Sequence, residues 1–534
     1  MKYLVTSALP YANAPLHLGH VLEIVQTDVW VRQKNLSNEE ALYFCASDAH
    51  GTPIMLKAKE LNVTPEKLIK DIHEKHHQTF KSFNVKLANF HSTHSEENKH
   101  LTSEIFRNAI KNSYIHKKEI SQLYDEKEQI FLADRFVKGS CPACSAEEQY
   151  GDACEKCGST YDALELKNPI SVLSNTAPVV KESEHYFFKL NEFNAYLKES
   201  VQKISNQTPI KAKLDEWLNE DLRDWDVSRD EPYFGFNVPG EESKYIYVWM
   251  DAPVGYLSSI QNWANQNDIE YADLMNEDNV KLVHFIGKDI VYFHLLFWPA
   301  MLKTYGVNNL DEVFVHGFLT IEGSKMSKSK GNFILADKAL TFAHPDYYRY
   351  YLCSKLNTDI SDIDFSVNDF IRKINSDLIG KFINIGSRTQ NFLVKLNSSK
   401  VAPGNISKSL EFKKNYEEII SLINKKEYSK ALKNIMNIAD KINAYVSTEE
   451  PWSKAKNDEE DKCISICSEA LNVFKDLTIL LQSFIPSIAD KIFSLLNVSD
   501  LNYDDLSIDN LNEVKKFKPF ITRLEKNDFD GILD

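Results

Sequence analysis

At 534 residues the chain is too long for one hydrophobic core, and its length points to about three to four domains. Its hydrophobic content of 43% is ordinary for a folded globular protein, and no apolar run approaches the roughly 18 residues of a membrane span, so no membrane partner is expected. A formal charge of −15 excludes nonspecific adhesion to nucleic acid but leaves room for a basic groove on an acidic body. The first element, Lys2 to Ala8, is a short apolar strand. After the loop from Leu9 to Leu16, the residues Leu18, Val21, Leu22, Val25 and Val29 keep the spacing of an amphipathic helix running to about Asn35. His17-Leu18-Gly19-His20 therefore heads a helix. There, unpaired backbone N–H groups and the helix dipole suit a phosphate, two imidazoles add donors, and Gly19 lets a flat ring such as adenine approach. Taken alone, the stretch is also what an ordinary helix start looks like. Lys2, the residues Tyr3 to Leu9 and the triplet Ala12-Asn13-Ala14 mimic a very short signal peptide. Cleavage there would remove the strand that feeds His17, so the chain is expected to stay in the cytoplasm.

Ala41 to Ala46 is a second segment of strand length, followed by the Asp48 to Pro53 loop and a helix starting near Pro53. Two such units imply a doubly wound parallel sheet of the α/β class, with a ligand at the carboxyl ends of the strands, where His17 and Asp48 then lie. Helical periodicity continues from Pro65 to about Lys111. The composition then turns polar, and Cys141-Pro142-Ala143-Cys144 and Cys154-Glu155-Lys156-Cys157 form two CxxC knuckles nine residues apart. Four thiolates, Cys141, Cys144, Cys154 and Cys157, would close a tetrahedral zinc shell with no open position, a structural site in a reducing compartment rather than a Lewis acid. A redox pair or plain surface cysteines is the alternative. Cys45, Cys353, Cys463 and Cys467 are scattered in apolar surroundings and read as core.

Lys244 to Trp249 alternates like a strand and leads through Asp251-Ala252-Pro253 into a helix. Leu282 to Ile286 is a fourth strand, running into Gly287-Lys288-Asp289 and on to His294. Beyond Gly331 the pattern is helical throughout, with helices expected at Phe370 to Lys395, Asn415 to Asn443 and Ile464 to Ile485, which reads as a bundle. No internal repeat or low-complexity tract interrupts it.

Just before that bundle stands Lys325-Met326-Ser327-Lys328-Ser329. A solvated basic loop is the bland reading, but one specified five-residue string occurs by chance in a chain this long on the order of once in several thousand. With His17-Leu18-Gly19-His20 it resembles the paired HIGH and KMSKS signatures of class I aminoacyl-tRNA synthetases. The flanking Ala8-Leu9-Pro10-Tyr11-Ala12-Asn13 and Asp48-Ala49-His50-Gly51-Thr52-Pro53 resemble the methionyl-tRNA synthetase family, of the bacterial four-cysteine zinc type, and the resemblance extends from residue 3 to about 455.

That resemblance implies a Rossmann-like catalytic domain split by a zinc-knuckle insertion and followed by an all-α anticodon-binding domain. The expected divisions are 1–115 and 231–322 for the two catalytic halves, 116–230 for the connective insertion, 323–375 for the KMSKS loop and linking helices, and 376–534 for the bundle. It implies ATP-dependent ligation of methionine to methionine tRNA, initiator and elongator, through methionyl-adenylate. His17, His20, Lys325 and Lys328 would be catalytic, and Gly19, His20, Lys325 and Lys328 would bind ATP, whose Mg²⁺ is held mainly by phosphates and water. A thioether pocket should be apolar and aromatic with a carboxylate for the amino group. Leu9, Tyr11, Trp249, Ala252, Pro253, Tyr256, Ile290 and His294 match the family's methionine-binding walls, and Asp48 matches the carboxylate. Arg229, in Trp225-Asp226-Val227-Ser228-Arg229-Asp230, would lie near the active site, or else pin two loops together. Asn384, Arg388 and Trp452 match the family's anticodon-reading positions; without the resemblance they are a surface pair and a core tryptophan. The rival readings are another class I synthetase, a nucleotidyltransferase, or a noncatalytic tRNA-binding paralogue.

Overall fold

The structure is a computed structural model that describes all residues except 152, 153, 155, 158, 160, 277, 278, 308, 309, 327–331 and 534, and the side chains at 134 and 276. Five parallel strands form its main sheet: β1 (Lys2–Ser7), β2 (Glu40–Ser47), β3 (Asn89–Ser92), β4 (Val280–Gly287) and β5 (Leu310–His316). Their order is β5-β4-β1-β2-β3, with Val5 opposite both Val283 and Tyr43. The period of two sorts the side chains between two cores. Tyr3, Val5, Tyr43, Cys45, Val283 and Phe285 pack with the Leu18–Leu36 helix and the C-terminal helices. Leu4, Phe44, Leu282 and Ile286 pack on the other face with Leu257 and Ile260 of the Val254–Gln266 helix and with Ile105 and Phe106 of the Glu96–Lys111 helix. This is the doubly wound arrangement expected from the first two strand–helix units.

Strand order reverses between β1 and β4, which makes the crevice above their carboxyl ends the place where such a sheet takes a ligand. Between β3 and β4 the chain leaves the sheet. Ile115–Asp125 pairs antiparallel with Val179–Phe188, and a small three-stranded sheet of Val137–Ser140, Gln149–Tyr150 and Lys167–Ser171 carries the cysteine knuckles.

Several elements differ from the sequence reading. The helical run from Pro65 to Lys111 is broken by β3, a four-residue strand between helices Pro65–Ser82 and Glu96–Lys111. Lys244 to Trp249 does not join the parallel sheet: Lys244–Ile246 pairs antiparallel with Ser228–Asp230, and Val248–Asp251 is already helical. Beyond residue 331 a short strand, Ile363–Phe365, pairs with Leu319–Ile321, so that region is not wholly helical. The helix expected at Asn415 to Asn443 is two, Lys413–Asn424 and Tyr428–Glu449. Cys45, Cys353, Cys463 and Cys467 are buried, as read. No described helix is long and apolar enough to cross a membrane.

The bundle is built round Glu460–Leu481, buried almost throughout from Cys463 onward. A fully buried arginine fastens it to the sheet. Arg349 donates to Asp28 Oδ2 at 2.6 Å, to the Phe83 carbonyl at 3.1 Å, and to the carbonyls of Ser483 at 2.7 Å and Phe484 at 3.1 Å. Burial would raise the Asp28 carboxyl, but Arg32 and Arg349 hold it below the ordinary carboxylate value. Removing one partner of such a buried pair costs about 3 to 5 kcal/mol.

Candidate active site and anticodon surface

The carboxyl ends of the strands open into a cavity of about 680 Å³. Its walls bring together all nine positions matched to methionine binding, Leu9, Tyr11, Asp48, Trp249, Ala252, Pro253, Tyr256, Ile290 and His294, together with His17, Gly19, His20 and Arg229. Isolated backbone pairing of Tyr11 with Asp48 ties the loop after β1 to the loop after β2.

His17 is the N-cap of the Leu18–Leu36 helix. Its Nδ1 accepts the Gly19 N–H at 3.0 Å, and His20 Nδ1 accepts the His17 N–H at 3.2 Å, a reciprocal capping box made of two imidazoles. An accepting Nδ1 leaves the ring proton on Nε2. Both histidines are therefore neutral donors rather than cations. Burial, then the neighbouring His17 and His76, hold His20 well below its ordinary pKa.

Met326, in the described part of the second signature, lies against the first. A Cβ at Gly19 would stand 2.8 Å from both His17 Cε1 and Met326 Cε. The Leu18 N–H donates to the Ile334 carbonyl at 3.1 Å, and the Ala336 N–H to the Leu16 carbonyl at 2.9 Å. Lys325 is exposed and carries its ammonium 5.7 Å from the ring of Phe318, which lines the cavity. Lys328 lies outside the described residues.

Asp48 Oδ1 is buried with no hydrogen-bond partner in an otherwise largely apolar wall. Burial, then the charge of Asp251, push the Asp48 carboxyl well above the ordinary carboxylate range. Such a group calls for a cation. Across the cavity Trp249 stacks on Phe293, 4.0 Å apart and 7° from parallel. His294 sits in a π-helical turn, Phe293–Phe297, with Nδ1 3.0 Å from the Ile290 carbonyl and Nε2 2.7 Å from Tyr256 Oη. A carbonyl only accepts, so the proton is on Nδ1, and Nε2 accepts from the Tyr256 hydroxyl. Burial lowers His294 to about 4, against the pull of the Ile290 carbonyl, and raises the Tyr256 phenol, so both are neutral. Arg229 lines the cavity, as read; its guanidinium donates to the carbonyl of the preceding residue, Ser228, at 2.6 Å and lies 3.7 Å over the Tyr247 ring.

Sequence reasoning did not reach several lining groups. Glu23 and His316 pair at 3.0 Å inside the cavity; the signal was there, since Glu23 stands three residues past His20 on the same helix face. Arg135 reaches the cavity from the insertion. Behind Asp48, His50 bonds Asp251 Oδ2 through Nδ1 and His94 through Nε2 at 3.0 Å.

The four knuckle cysteines hold their sulfurs within 4.8 Å of one another, with Cys141 to Cys157 at 3.8 Å and Cys144 to Cys154 at 3.6 Å. A tetrahedron of ~2.3 Å metal–sulfur bonds has edges of about 3.8 Å, so the donor set fits a bound metal ion. In each knuckle a backbone N–H, of Cys144 or Cys157, points at the first sulfur at 3.4 Å, as suits thiolates. On the bundle, Arg388 places its guanidinium carbon 5.2 Å from the half-buried Trp452 ring, and Asn384 bonds Asn443 at 2.9 Å.

A parallel doubly wound fold with Met326 of the second signature set against Gly19 of the first, above the switch point, defines a class I aminoacyl-tRNA synthetase. Residues 3–390 match the family described as tRNA synthetases class I (M), and residues 400–526 match the anticodon binding domain of methionyl tRNA ligase, which carries the similarity well past residue 455. The methionine–tRNA ligase of Vesicomyosocius okutanii subsp. Calyptogena okutanii (strain HA) is 44% identical over 538 residues, covering 100% of this chain and 99% of its own. The chain belongs to the methionyl-tRNA synthetase family. Its fold is also that of the Mycobacterium tuberculosis methionyl-tRNA synthetase in complex with methionyl-adenylate, with a TM-score of 0.79 at 22% identity over 97% of this chain and 99% of the other. The free-state enzyme of the same organism gives 0.73 at 21% identity, over 98% of each chain.

Proposed function

We propose that this chain ligates methionine to methionine tRNA in two steps at the 680 Å³ cavity. In the first, a methionine carboxylate oxygen attacks the α-phosphorus of ATP, the bond to the bridging oxygen of the β-phosphate breaks, and pyrophosphate leaves. In the second, a hydroxyl of the terminal tRNA ribose takes the acyl group and AMP departs. Displacement of this kind needs alignment and charge stabilisation more than a protein nucleophile. The observation that carries the reading is that Asp48, whose Oδ1 is buried and unpartnered, lines the same cavity as the aromatic positions Trp249 and Tyr256.

Asp48 receives the α-ammonium, and the thioether lies among Trp249, Pro253, Tyr256 and His294. The Tyr256 hydroxyl is committed to His294, so the pocket floor keeps an oriented neutral pair and no charge for a polar side chain to meet. His17 and His20 aim Nε2–H donors at the phosphates from the helix end, and Gly19 lets the nucleotide lie on the backbone. Lys325 and Lys328 stabilise the developing pyrophosphate. Magnesium bound to ATP would supply further charge neutralisation, held by phosphates and water. Cys141, Cys144, Cys154 and Cys157 would hold one zinc ion, a closed shell that staples the insertion and takes no part in the reaction. Oxidisable knuckle thiols and four free buried cysteines suit a reducing cytoplasm. The unit from residue 376 onward reads the anticodon through Asn384, Arg388 and Trp452.

Methionine-dependent ATP–pyrophosphate exchange tests this. Methionine should support exchange and leucine and isoleucine should not; equal activation of leucine would overturn the assignment.

A further inference from the structure

Asn443, on the Tyr428–Glu449 helix, is the residue round which Asn384 and Arg388 are arranged. Its Nδ2 donates to two carbonyl oxygens, that of Lys381 at 2.8 Å and that of Ala439 at 2.9 Å. Carbonyls only accept, so this amide cannot be turned round, and its Oδ1 must face Asn384 and accept from Asn384 Nδ2 at 2.9 Å. The second amide is thereby fixed as well. Asn384 turns its NH₂ group toward Asn443 and is left with its own Oδ1 and one N–H for a ligand.

The same residue steadies Arg388. The Asn443 backbone carbonyl accepts from Arg388 Nη1 at 3.4 Å and from Ser447 Oγ at 2.8 Å, while Ser447 Oγ accepts from Arg388 Nη2 at 3.0 Å. Held along that edge, the guanidinium lies beside the Trp452 ring.

The helix carrying Asn384 changes its winding beside this contact. Ile374–Ile383 is wound as a π-helix and gives way to an α-helix at Asn384. Just before that junction one carbonyl accepts from a donor outside its own helix. It belongs to Lys381, and the donor is Asn443.

We propose that the Asn443 side chain is a positioning element for anticodon recognition: without touching RNA, it sets which edge of the Asn384 amide meets a base, while Arg388 rests on the Asn443 backbone carbonyl that any residue there would supply. The inference rests on the reading of Asn384, Arg388 and Trp452 as anticodon contacts. Replacement by aspartate, though isosteric, removes both donors and sets a carboxylate against two carbonyl oxygens. The chemistry therefore demands asparagine itself.

The experiment compares full-length Asn443→Ala, Asn443→Asp, Asn384→Ala and the double variant Asn384→Ala with Asn443→Ala. Charging of methionine tRNA, charging of transcripts altered at one anticodon base, thermal melting and pyrophosphate exchange are measured on each. Both Asn443 variants should lower kcat/KM for tRNA by about tenfold, mostly through KM, and narrow discrimination between transcripts. Their melting and their exchange, a reaction that uses no tRNA, should match wild type. The double variant should charge within about twofold of Asn384→Ala, because the two residues act in series. Multiplicative losses, early melting of both Asn443 variants, or normal charging by Asn443→Ala while Asn384→Ala fails would overturn the role of Asn443. Normal charging by Asn384→Ala would instead overturn the anticodon reading beneath it.

Discussion

The methyl group of Met326 fills the space that a side chain at Gly19 would need: a Cβ there would lie 2.8 Å from Met326 Cε and the same distance from His17 Cε1. The methionine end can swing away. The His17 ring cannot without giving up the Gly19 N–H that it caps. Gly19→Ala should therefore disturb the donor array rather than the fold, slowing pyrophosphate exchange by about tenfold to a hundredfold and raising KM for ATP, with melting unchanged. Exchange kinetics at varied ATP provide the check, and a wild-type KM for ATP would show that the close approach at Gly19 is not used.

Asp48 stores an electrostatic penalty that the substrate relieves. Its carboxyl is raised in the folded chain, first by burial and then by Asp251, above the unfolded value of about 3.9. A raised folded value means that the native state holds the proton more tightly. The free protein then loses stability as pH rises through the interval between the two values, and keeps that loss above it. Asp48→Asn should accordingly melt at a higher temperature than wild type at pH 8, with the gap closing toward acid pH. The same variant should raise KM for methionine by about a hundredfold, since a buried charge pair loses one partner. Melting curves across pH and exchange at varied methionine read the two effects separately.

The sulfur spacing of the knuckle predicts one tightly bound zinc per chain, measurable by elemental analysis of the purified protein. Cys154→Ala should lose the metal and loosen the insertion, visible as faster proteolysis within residues 116–230. Adenylate formation should be affected less than proteolysis, because the cysteines stand outside the cavity walls. Protein free of zinc, or a chelator without effect on the insertion, would remove the metal from the description.

Trp452 separates the two halves of the reaction. Stacking of a base on an aromatic ring is worth roughly 1 to 3 kcal/mol, so Trp452→Ala should weaken charging of methionine tRNA by about one to two orders of magnitude. Circular dichroism and methionine-dependent exchange should stay at wild-type values. If charging and exchange fell together, or the variant melted early, the half-buried ring would be a packing residue.

The signatures were legible in the sequence because their chemistry is local: an imidazole on either side of Leu18-Gly19, or two CxxC pairs, declares itself in a few letters. Asn89–Ser92 was not, since four residues between two amphipathic helices show no alternation long enough to register, yet they make the outer strand of the main sheet. Lys244 to Trp249 misled for the opposite reason: alternation persists past Ile246 although the backbone has turned into a helix by Val248. The burial of the Asp48 carboxyl, its missing partner and the charge of Asp251 set near it from two hundred residues away are products of the fold, and no local pattern encodes them. The same holds for Asn443, whose partners Lys381 and Asn384 stand about sixty residues away on a different helix.

The guanidinium of Arg349 has one further consequence. It spends its hydrogen bonds on Asp28, in the helix headed by His17, on the Phe83 carbonyl, and on two carbonyls of the bundle. A gene truncated to the nucleotide fold would strip Ser483 and Phe484 from this arginine and wet a core that runs without interruption from Val5 to Phe484. The sheet and the bundle share one core, so a protease or an engineer seeking two separable halves should find that they melt together.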